Sequence, residues 1–147
     1  MHTTSHEHEQ SFCQSPVVNE AMALDPEEVY AQGYAAWQKG RYDSALIDFS
    51  WLVMSQPWSW RAHVALAGVR MMQKEYAMAI TSYGYALMLD ASHPEPVYQI
   101  GVCLKAMGEL SLAREALQTA LTMSYADPLY SNVRTNAELM LSQLLAW

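Results

Sequence analysis

The chain has 147 residues, 52% of them hydrophobic, which is enough for one domain with a continuous core. Its formal net charge is −7, and six acidic residues precede the first basic one, Lys39, so it lacks the basic surface that nucleic acid selects. No apolar run reaches the roughly 18 residues of a membrane span, and the N-terminus lacks the basic and apolar segments of a secretion signal. We therefore expect no stable membrane insertion.

Residues 1–14 are polar and rich in His and Glu, without a hydrophobic period, and we predict that they form a disordered tail. Residues 15–24 are predicted to form a short helix, because their apolar residues lie near one face. Met22 and Leu24 on that helix are candidates for a homodimer contact.

The next hundred residues repeat at a fixed period. Small residues recur every 34 positions at Gly33, Ala67 and Gly101, and a second set recurs at the same step. That period, with a bulky residue between the small ones, is typical of the tetratricopeptide repeat, a helix–turn–helix unit that stacks on its neighbours. The second small set is Ala45, Ala79 and Ala113, and the bulky set is Phe49, Tyr83 and Leu117.

Helix-start and helix-stop signals place the elements along this grid. Asp25 and Pro26 begin the first repeat, and Asp127 and Pro128 repeat the pair after the third. The pattern predicts helices at about 26–39, 43–55, 60–73, 77–90, 94–107, 111–124 and 129–145. The predicted fold is all-α: three repeats over 26–59, 60–93 and 94–127 within 25–127, forming a right-handed solenoid, and a C-terminal capping helix within 128–147.

The small residues are expected to let the helices of each unit cross closely, with the three alanines facing Gly33, Ala67 and Gly101. Phe49, Tyr83 and Leu117 are expected to fill the space between consecutive units. On the capping helix, we expect one apolar stripe to pack on the last unit: Val133, Ala137, Met140, Leu141, Leu144 and Leu145.

In such a stack the first helix of each unit lines the concave side, so its outward positions predict a groove that binds an extended peptide. An alternative interpretation is that this stripe is simply core. We favour the groove, because the period already assigns other residues to the core. Tyrosine and tryptophan are common binding anchors, and methionine adapts to varied shapes. The predicted groove residues are Tyr30, Tyr34, Trp37, Arg61, Val64, Met71, Met72, Tyr98, Val102 and Lys105.

Other chemistries are poorly supported. Tyr30 and Tyr34 stand where some tetratricopeptide domains carry the cationic and amide side chains of a carboxylate clamp, so the groove is predicted to bind apolar side chains. No arrangement of catalytic residues is evident, so we predict neither an enzyme nor a cofactor. His2, His6, His8 and Cys13 are too loosely spaced for a defined metal site, so none is predicted.

Two further groups of residues have weaker interpretations. Cys13 and Cys103, without a secretion signal, predict reduced thiols and a cytosolic protein. Trp51, Trp58 and Trp60 are expected to cluster at the first junction between units, either as packing, which we favour, or as a second, convex client surface.

Two segments carry a resemblance to a known family: DFSWLVMSQPWSWRAHVALAG at 48–68 and YGYALMLDASHPEPVYQIGVCLK at 83–105. Together with three repeats and an acidic N-terminal extension, they resemble the class II chaperones of type III secretion, the SycD/LcrH family. The resemblance covers about residues 24–130.

The resemblance implies a chaperone of the bacterial cytoplasm that often dimerises through its N-terminal part. It implies that an extended segment of a secreted translocator or membrane-inserting effector lies in the concave groove and is kept soluble for export. By position, it implies contacts from Tyr30, Tyr34, Trp37, Val64, Met71 and Tyr98. The alternative function is a scaffold or regulatory adaptor that holds another cytosolic protein in the same groove.

Overall fold

The computed structural model describes residues 24–145, and within this range every regular element is helical. Six α-helices form three consecutive antiparallel pairs, and a short 3₁₀ turn leads into a seventh. The bounds are α1 Pro26–Gln38, α2 Tyr42–Ser55, α3 Trp60–Met72, α4 Tyr76–Leu89, α5 Pro94–Ala106, α6 Leu110–Ser124, the 3₁₀ turn Pro128–Tyr130 and α7 Ser131–Leu145. The all-α repeat fold is confirmed. The predicted tail, the predicted short helix up to residue 23, and the tail's histidines and Cys13 lie outside the described residues.

Local chemistry explains where the helices begin and turn. The Asp25 carboxylate accepts a hydrogen bond from the Glu27 amide, and the Ser59 hydroxyl accepts one from Ala62, so both satisfy amides that a helix start leaves unpaired. The turns within the units pass through left-handed backbone at Gly40, Lys74 and Gly108, with φ of +76°, +62° and +83°. Glycine suits this conformation, and the second repeat is the one that places a lysine there.

The eight residues predicted to pack the repeats are all buried: Gly33, Ala45, Phe49, Ala67, Ala79, Tyr83, Gly101 and Ala113. Their expected partners were partly wrong. A Cβ on Gly33 would lie 2.6 Å from Phe49 Cε1, and one on Gly101 would lie 2.8 Å from Leu117 Cγ, so the large side chain of the same unit sits against each glycine. In an antiparallel pair, residue 49 lies as far after the turn as residue 33 lies before it, whereas residue 45 pairs with a position nearer the turn.

Phe49 also reaches the next unit. It shares one buried cluster with Val29 of α1 and with Ala62, Ala65 and Val69 of α3. One ring therefore fills both the crossing within the first unit and the junction with the second.

The seventh helix closes the stack. Val133, Ala137 and Leu144 are buried, and Leu144 joins the cluster of Ala113 and Leu117 in the third unit. The inclusion of Leu145 in this stripe was wrong, because its side chain is 75% exposed. One residue beyond Leu144 is about 100° further around an α-helix, which turns Leu145 away from the third unit. None of the helices within residues 24–145 is long and apolar enough to cross a membrane.

Candidate functional site: a concave aromatic groove

Three aromatic side chains of α1 form a row along its outer face. The rings of Tyr30 and Tyr34 stack with centroids 6.2 Å apart, and the Trp37 ring meets Tyr34 edge-on at 5.9 Å. Tyr34 is 43% exposed, and Tyr30 and Trp37 are half-buried. The predicted anchors therefore lie together, and part of each ring remains accessible.

The row is held from behind by the core. Tyr30 and Trp37 each contact the buried Phe49 ring, with centroids 5.8 and 6.4 Å apart. Because Phe49 is fully buried, its contacts hold the rings of Tyr30 and Trp37 in position.

Gly68 accommodates Trp37 across the junction between the first two repeats. A Cβ on Gly68 would lie only 2.5 Å from Trp37 Cη2. The concave position that Gly68 occupies in the second repeat is therefore filled by the indole of the first. This contact joins residues from different units, and the sequence pattern alone did not indicate it.

Arg61 joins the first two repeats on the same surface. Its Nη2 donates to Glu27 Oε1 at 2.7 Å, and its Cζ lies 4.0 Å from the centroid of the Tyr30 ring. The guanidinium is therefore paired with a carboxylate and stacked on an aromatic face, which limits the directions in which it can move.

Two adjoining cavities open beside this row. The first, of about 250 Å³, is lined by Tyr30, Tyr34, Trp37, Trp60, Arg61, Val64, Ala65, Tyr83, Glu95 and Gln99. The second, of about 290 Å³, is lined by Tyr34, Trp37, Gln38, Tyr42 and Met72. Aromatic rings dominate both walls, so the pair forms a trough suited to side chains of an extended segment.

The groove residues predicted in the third repeat do not line these cavities. Tyr98 packs against the cluster that contains Leu117 and Leu144, and burial, with the nearby Glu95 carboxylate, raises its pKa. Lys105 Nζ donates to Met140 Sδ at 3.2 Å and to Gln143 Oε1 at 3.3 Å, both on α7. Val102 is half-buried. The capping helix therefore borders the groove at this end.

The two predicted methionines have different environments. Met72 is half exposed and lines the second cavity. Met71 is half-buried, and its sulfur accepts a hydrogen bond from the Tyr83 hydroxyl at 3.3 Å. Burial, reinforced by Cys103 and Glu95, raises the pKa of Tyr83 above its ordinary value, so this hydroxyl stays protonated and keeps donating.

Sequence reasoning missed Trp60 as a groove residue and grouped it with Trp51 and Trp58. Trp60 lines the first cavity, and its ring lies 4.4 Å from that of His93 at the start of α5. Trp51 packs against the buried cluster that contains Phe49, and Trp58 is 69% exposed. The expectation of one tryptophan cluster was wrong. The available signal was that Trp60 occupies the first position of its repeat, the slot that Pro26 fills in the first unit.

A third cavity, of about 440 Å³, lies between α2, α3 and α4, away from the aromatic row. Its walls are Val53, Pro57, His63, Leu66, Ser82, Tyr85, Met88 and Leu89. The buried His63 donates through Nε2 to the Pro57 carbonyl at 2.8 Å, which explains a polar side chain in this apolar setting. Residues 24–145 contain no cluster of three or more His, Cys, Asp or Glu side chains placed to hold a metal.

The three stacked helix pairs define a tetratricopeptide-repeat fold with an aromatic groove. Residues 94–127 match the tetratricopeptide repeat family. Among curated proteins, the chain is similar to the low calcium response locus protein H of Yersinia pseudotuberculosis serotype I (strain IP32953), at 26% identity over 128 residues, which is 87% of this chain and 76% of that protein.

Solved structures agree with this likeness. PcrH, crystallised in complex with the chaperone binding region of PopD, superposes with a TM-score of 0.78 at 27% identity, covering 82% of this chain and 90% of PcrH. The type III secretion translocator chaperone SycD of Yersinia enterocolitica, solved as an alternative dimer, superposes with a TM-score of 0.79 at 25% identity. The match covers 82% of this chain and 92% of SycD. These comparisons support the class II chaperone family of type III secretion, and none of them indicates a catalytic family.

Proposed function

We propose that this chain is a type III secretion chaperone, without enzymatic activity, whose concave groove holds an apolar segment of a secreted translocator or membrane-inserting effector. The observation that carries the proposal is the accessible row Tyr30, Tyr34 and Trp37, fixed on the core and opening into two cavities. The likeness to PcrH, which was solved with the chaperone binding region of PopD, supports the same use of the groove here.

Masking is the mechanism that follows from this surface. A client segment destined for a membrane exposes apolar side chains that aggregate or insert prematurely in water. Each aromatic or aliphatic anchor buried in the trough contributes on the order of 1.5–3 kcal/mol before the entropy of ordering the client is subtracted. Two or three such anchors hold the client reversibly, and it remains available for export from the bacterial cytoplasm.

A finer assignment rests on the two sequence blocks at 48–68 and 83–105, whose resemblance is strongest to the chaperone SscB. We propose on that ground a membrane-inserting effector of the SseF type as the client. The groove residues proposed to touch it are Tyr30, Tyr34, Trp37, Val64 and Met72. We further propose that Arg61, Met71, Tyr98, Val102 and Lys105 extend this contact surface over the second and third repeats.

Self-association is part of the proposal. Leu24, the first described residue, is 46% exposed and continues the apolar side of the predicted N-terminal helix. SycD of Yersinia enterocolitica was solved as an alternative dimer, which supports the expectation that a protein of this fold pairs with a second copy. We propose that residues 15–24 supply the contact.

The test begins with a pull-down from the native bacterium, followed by co-expression of the recovered client with this chain. The unmodified chain is expected to keep the client soluble and to co-purify with it. Tyr34→Ala combined with Met72→Ala removes two exposed anchors without touching the core, and it is expected to lower client recovery by at least about tenfold. Ile47→Ala, which alters an exposed apolar residue of α2 outside the groove, is the matched control.

Unchanged client recovery with the double variant would overturn the groove as the binding site. Recovery of a natively folded cytosolic partner that is soluble by itself would favour the adaptor interpretation over the chaperone.

A further inference from the structure

The Glu95 carboxylate lines the first aromatic cavity. Glu95 is half-buried at the start of α5, and its Oε1 accepts a hydrogen bond from Gln99 Nε2 at 2.9 Å. Within residues 24–145, the ion pairs are Arg61 with Glu27 and His93 with Asp90, so Glu95 takes part in neither. A negative charge therefore faces a partly closed, largely aromatic space.

The Glu95 carboxylate lies near two phenols, those of Tyr83 and Tyr98. After burial, its charge is among the causes that raise the pKa of Tyr83 and of Tyr98. Both phenols disfavour ionisation beside a carboxylate, and the Glu95 side chain therefore lies close to them.

Aromatic rings line the same cavity as this carboxylate, and aromatic rings attract cations. Trp60 and Trp37 line the same cavity as Glu95, and both have the electron-rich faces that attract ammonium and guanidinium groups. The molecule already uses such a contact nearby, since the Arg61 guanidinium lies 4.0 Å from the Tyr30 centroid.

The charges also follow the repeat. Glu27, Arg61 and Glu95 occupy the same position in successive units, 34 residues apart. The first two neutralise each other at 2.7 Å, and the third forms no ion pair with the other described residues. A positive group from outside would balance the charge at the end of this row.

We propose that the first cavity receives a lysine or arginine side chain of the bound segment, with its cation beside Glu95 and its methylene stem against the rings of Trp37 and Trp60. An apolar side chain seated there would bury the Glu95 carboxylate with only the Gln99 hydrogen bond to compensate, which is costly, whereas a cation reduces that cost. The inference rests on the proposed function, and it adds one basic anchor to a segment otherwise held by apolar ones.

The test measures the binding of two single-residue probes by NMR. N-acetyl-lysine methylamide carries the cation, and N-acetyl-norleucine methylamide has a similar aliphatic stem without it. The indole N–H signals of Trp37 and Trp60, assigned with Trp37→Phe and Trp60→Phe, report on the cavity. In the full-length chain, the lysine probe is expected to bind about tenfold more tightly than the norleucine probe and to shift both signals.

Substitutions of Glu95 distinguish the effect of its negative charge from any effect on the fold. Glu95→Gln keeps an acceptor for Gln99 and is expected to bring the two dissociation constants within about twofold of each other, whereas Glu95→Asp keeps the lysine preference. Glu115→Gln, which alters an exposed glutamate on α6, is the matched control and is expected to leave the preference unchanged.

Equal binding of the two probes by the unmodified chain, or a lysine preference that survives Glu95→Gln, would overturn the basic anchor. Neither result touches the chaperone proposal, which depends on client recovery with the variants of Tyr34 and Met72. Conversely, a lysine preference without any recovered client would leave the cavity's specificity standing and remove the chaperone role.

Discussion

Trp37 belongs to both the core and the groove. One side of its indole lies against Phe49 and Gly68, and the remaining surface lines both cavities. A binding surface built from such residues is rigid before the client arrives, so less entropy is lost on binding than with flexible side chains. The same contacts make the site sensitive to small changes at positions that never touch a client.

Gly68→Ala tests this coupling. The new methyl group would lie 2.5 Å from Trp37 Cη2, so the indole must move. We expect the free energy of unfolding, measured by urea titration, to fall by about 1–3 kcal/mol and the tryptophan emission to change. Gly84→Ala in α4 is the control, since a Cβ there has no atom within 4 Å, and it is expected to gain about 0.5–1 kcal/mol. Equal effects of the two alanines would contradict the packing of Trp37 on Gly68.

A second prediction concerns how the stability contributed by the buried Cys103 thiol depends on pH. Burial raises the pKa of its thiol to about 11, so the folded state keeps the proton that the unfolded state loses near pH 8.5. The stability contributed by the buried thiol is therefore complete below about pH 8.5 and is lost as the pH rises toward about 11. In a Cys13→Ser background, a thiol reagent at pH 8 is expected to label the native chain slowly and the urea-unfolded chain rapidly. Rapid labelling of the native chain would rule out this burial.

Among the elements, the capping helix α7 distinguishes the two ends of the groove. It covers the third unit through Leu144 and holds Lys105 through Met140 and Gln143. The trough is therefore open along the first two repeats and bordered at the third. A client segment is expected to gain most of its contacts from α1 and α3.

Two adjacent leucines of α7, one buried and one exposed, test how this helix packs on the third unit. Leu144 is 2% exposed, and we expect Leu144→Ala to lower the free energy of unfolding by about 2–5 kcal/mol, because it leaves a cavity against the third unit. Leu145 is 75% exposed, and Leu145→Ala is expected to change the free energy of unfolding by no more than about 0.5 kcal/mol. Thermal or urea unfolding of both variants measures the difference. A comparable loss at both positions would mean that α7 packs in another orientation.

In the molecule as a whole, the repeats stabilise the fold, whereas a different part of the chain is proposed to form the dimer. Each described helix packs mainly on its neighbours in the chain, so the repeats form one continuous stack. The proposed second copy, in contrast, contacts residues that precede this stack. Removing them is expected to change the assembly and to leave the fold of the repeats intact.

Sedimentation of the full-length chain and of a variant lacking residues 1–23 checks this expectation. The full-length chain is expected to sediment as a dimer and the shortened chain as a monomer with an unchanged helical circular dichroism spectrum per residue of the repeats. Leu129→Ala, which alters an 85% exposed leucine at the other end of the chain, is expected to leave the dimer unaffected. The same mass before and after truncation would exclude the N-terminal segment as the contact.

The sequence by itself determined the helices and their pairing. Asp25, Ser59 and the turn residues Gly40 and Gly108 act within a few positions along the chain, so their effects are visible in the order of residues. The 34-residue period is likewise a property of the chain, because each unit must present the same small and bulky positions to its neighbours. The row Tyr30, Tyr34 and Trp37 follows from helical spacing alone.

Only the tertiary structure decided which of these side chains share a surface. Trp37 fills the space left by Gly68, Lys105 is held by α7, and Glu95 faces the aromatic cavity without an ion pair to any other residue of 24–145. Each of these facts joins residues from different units or elements, and their distance depends on how the units stack. A repeat period specifies equivalent positions, but the neighbours of each position depend on side-chain volume and charge across the junctions, which differ from one repeat to the next.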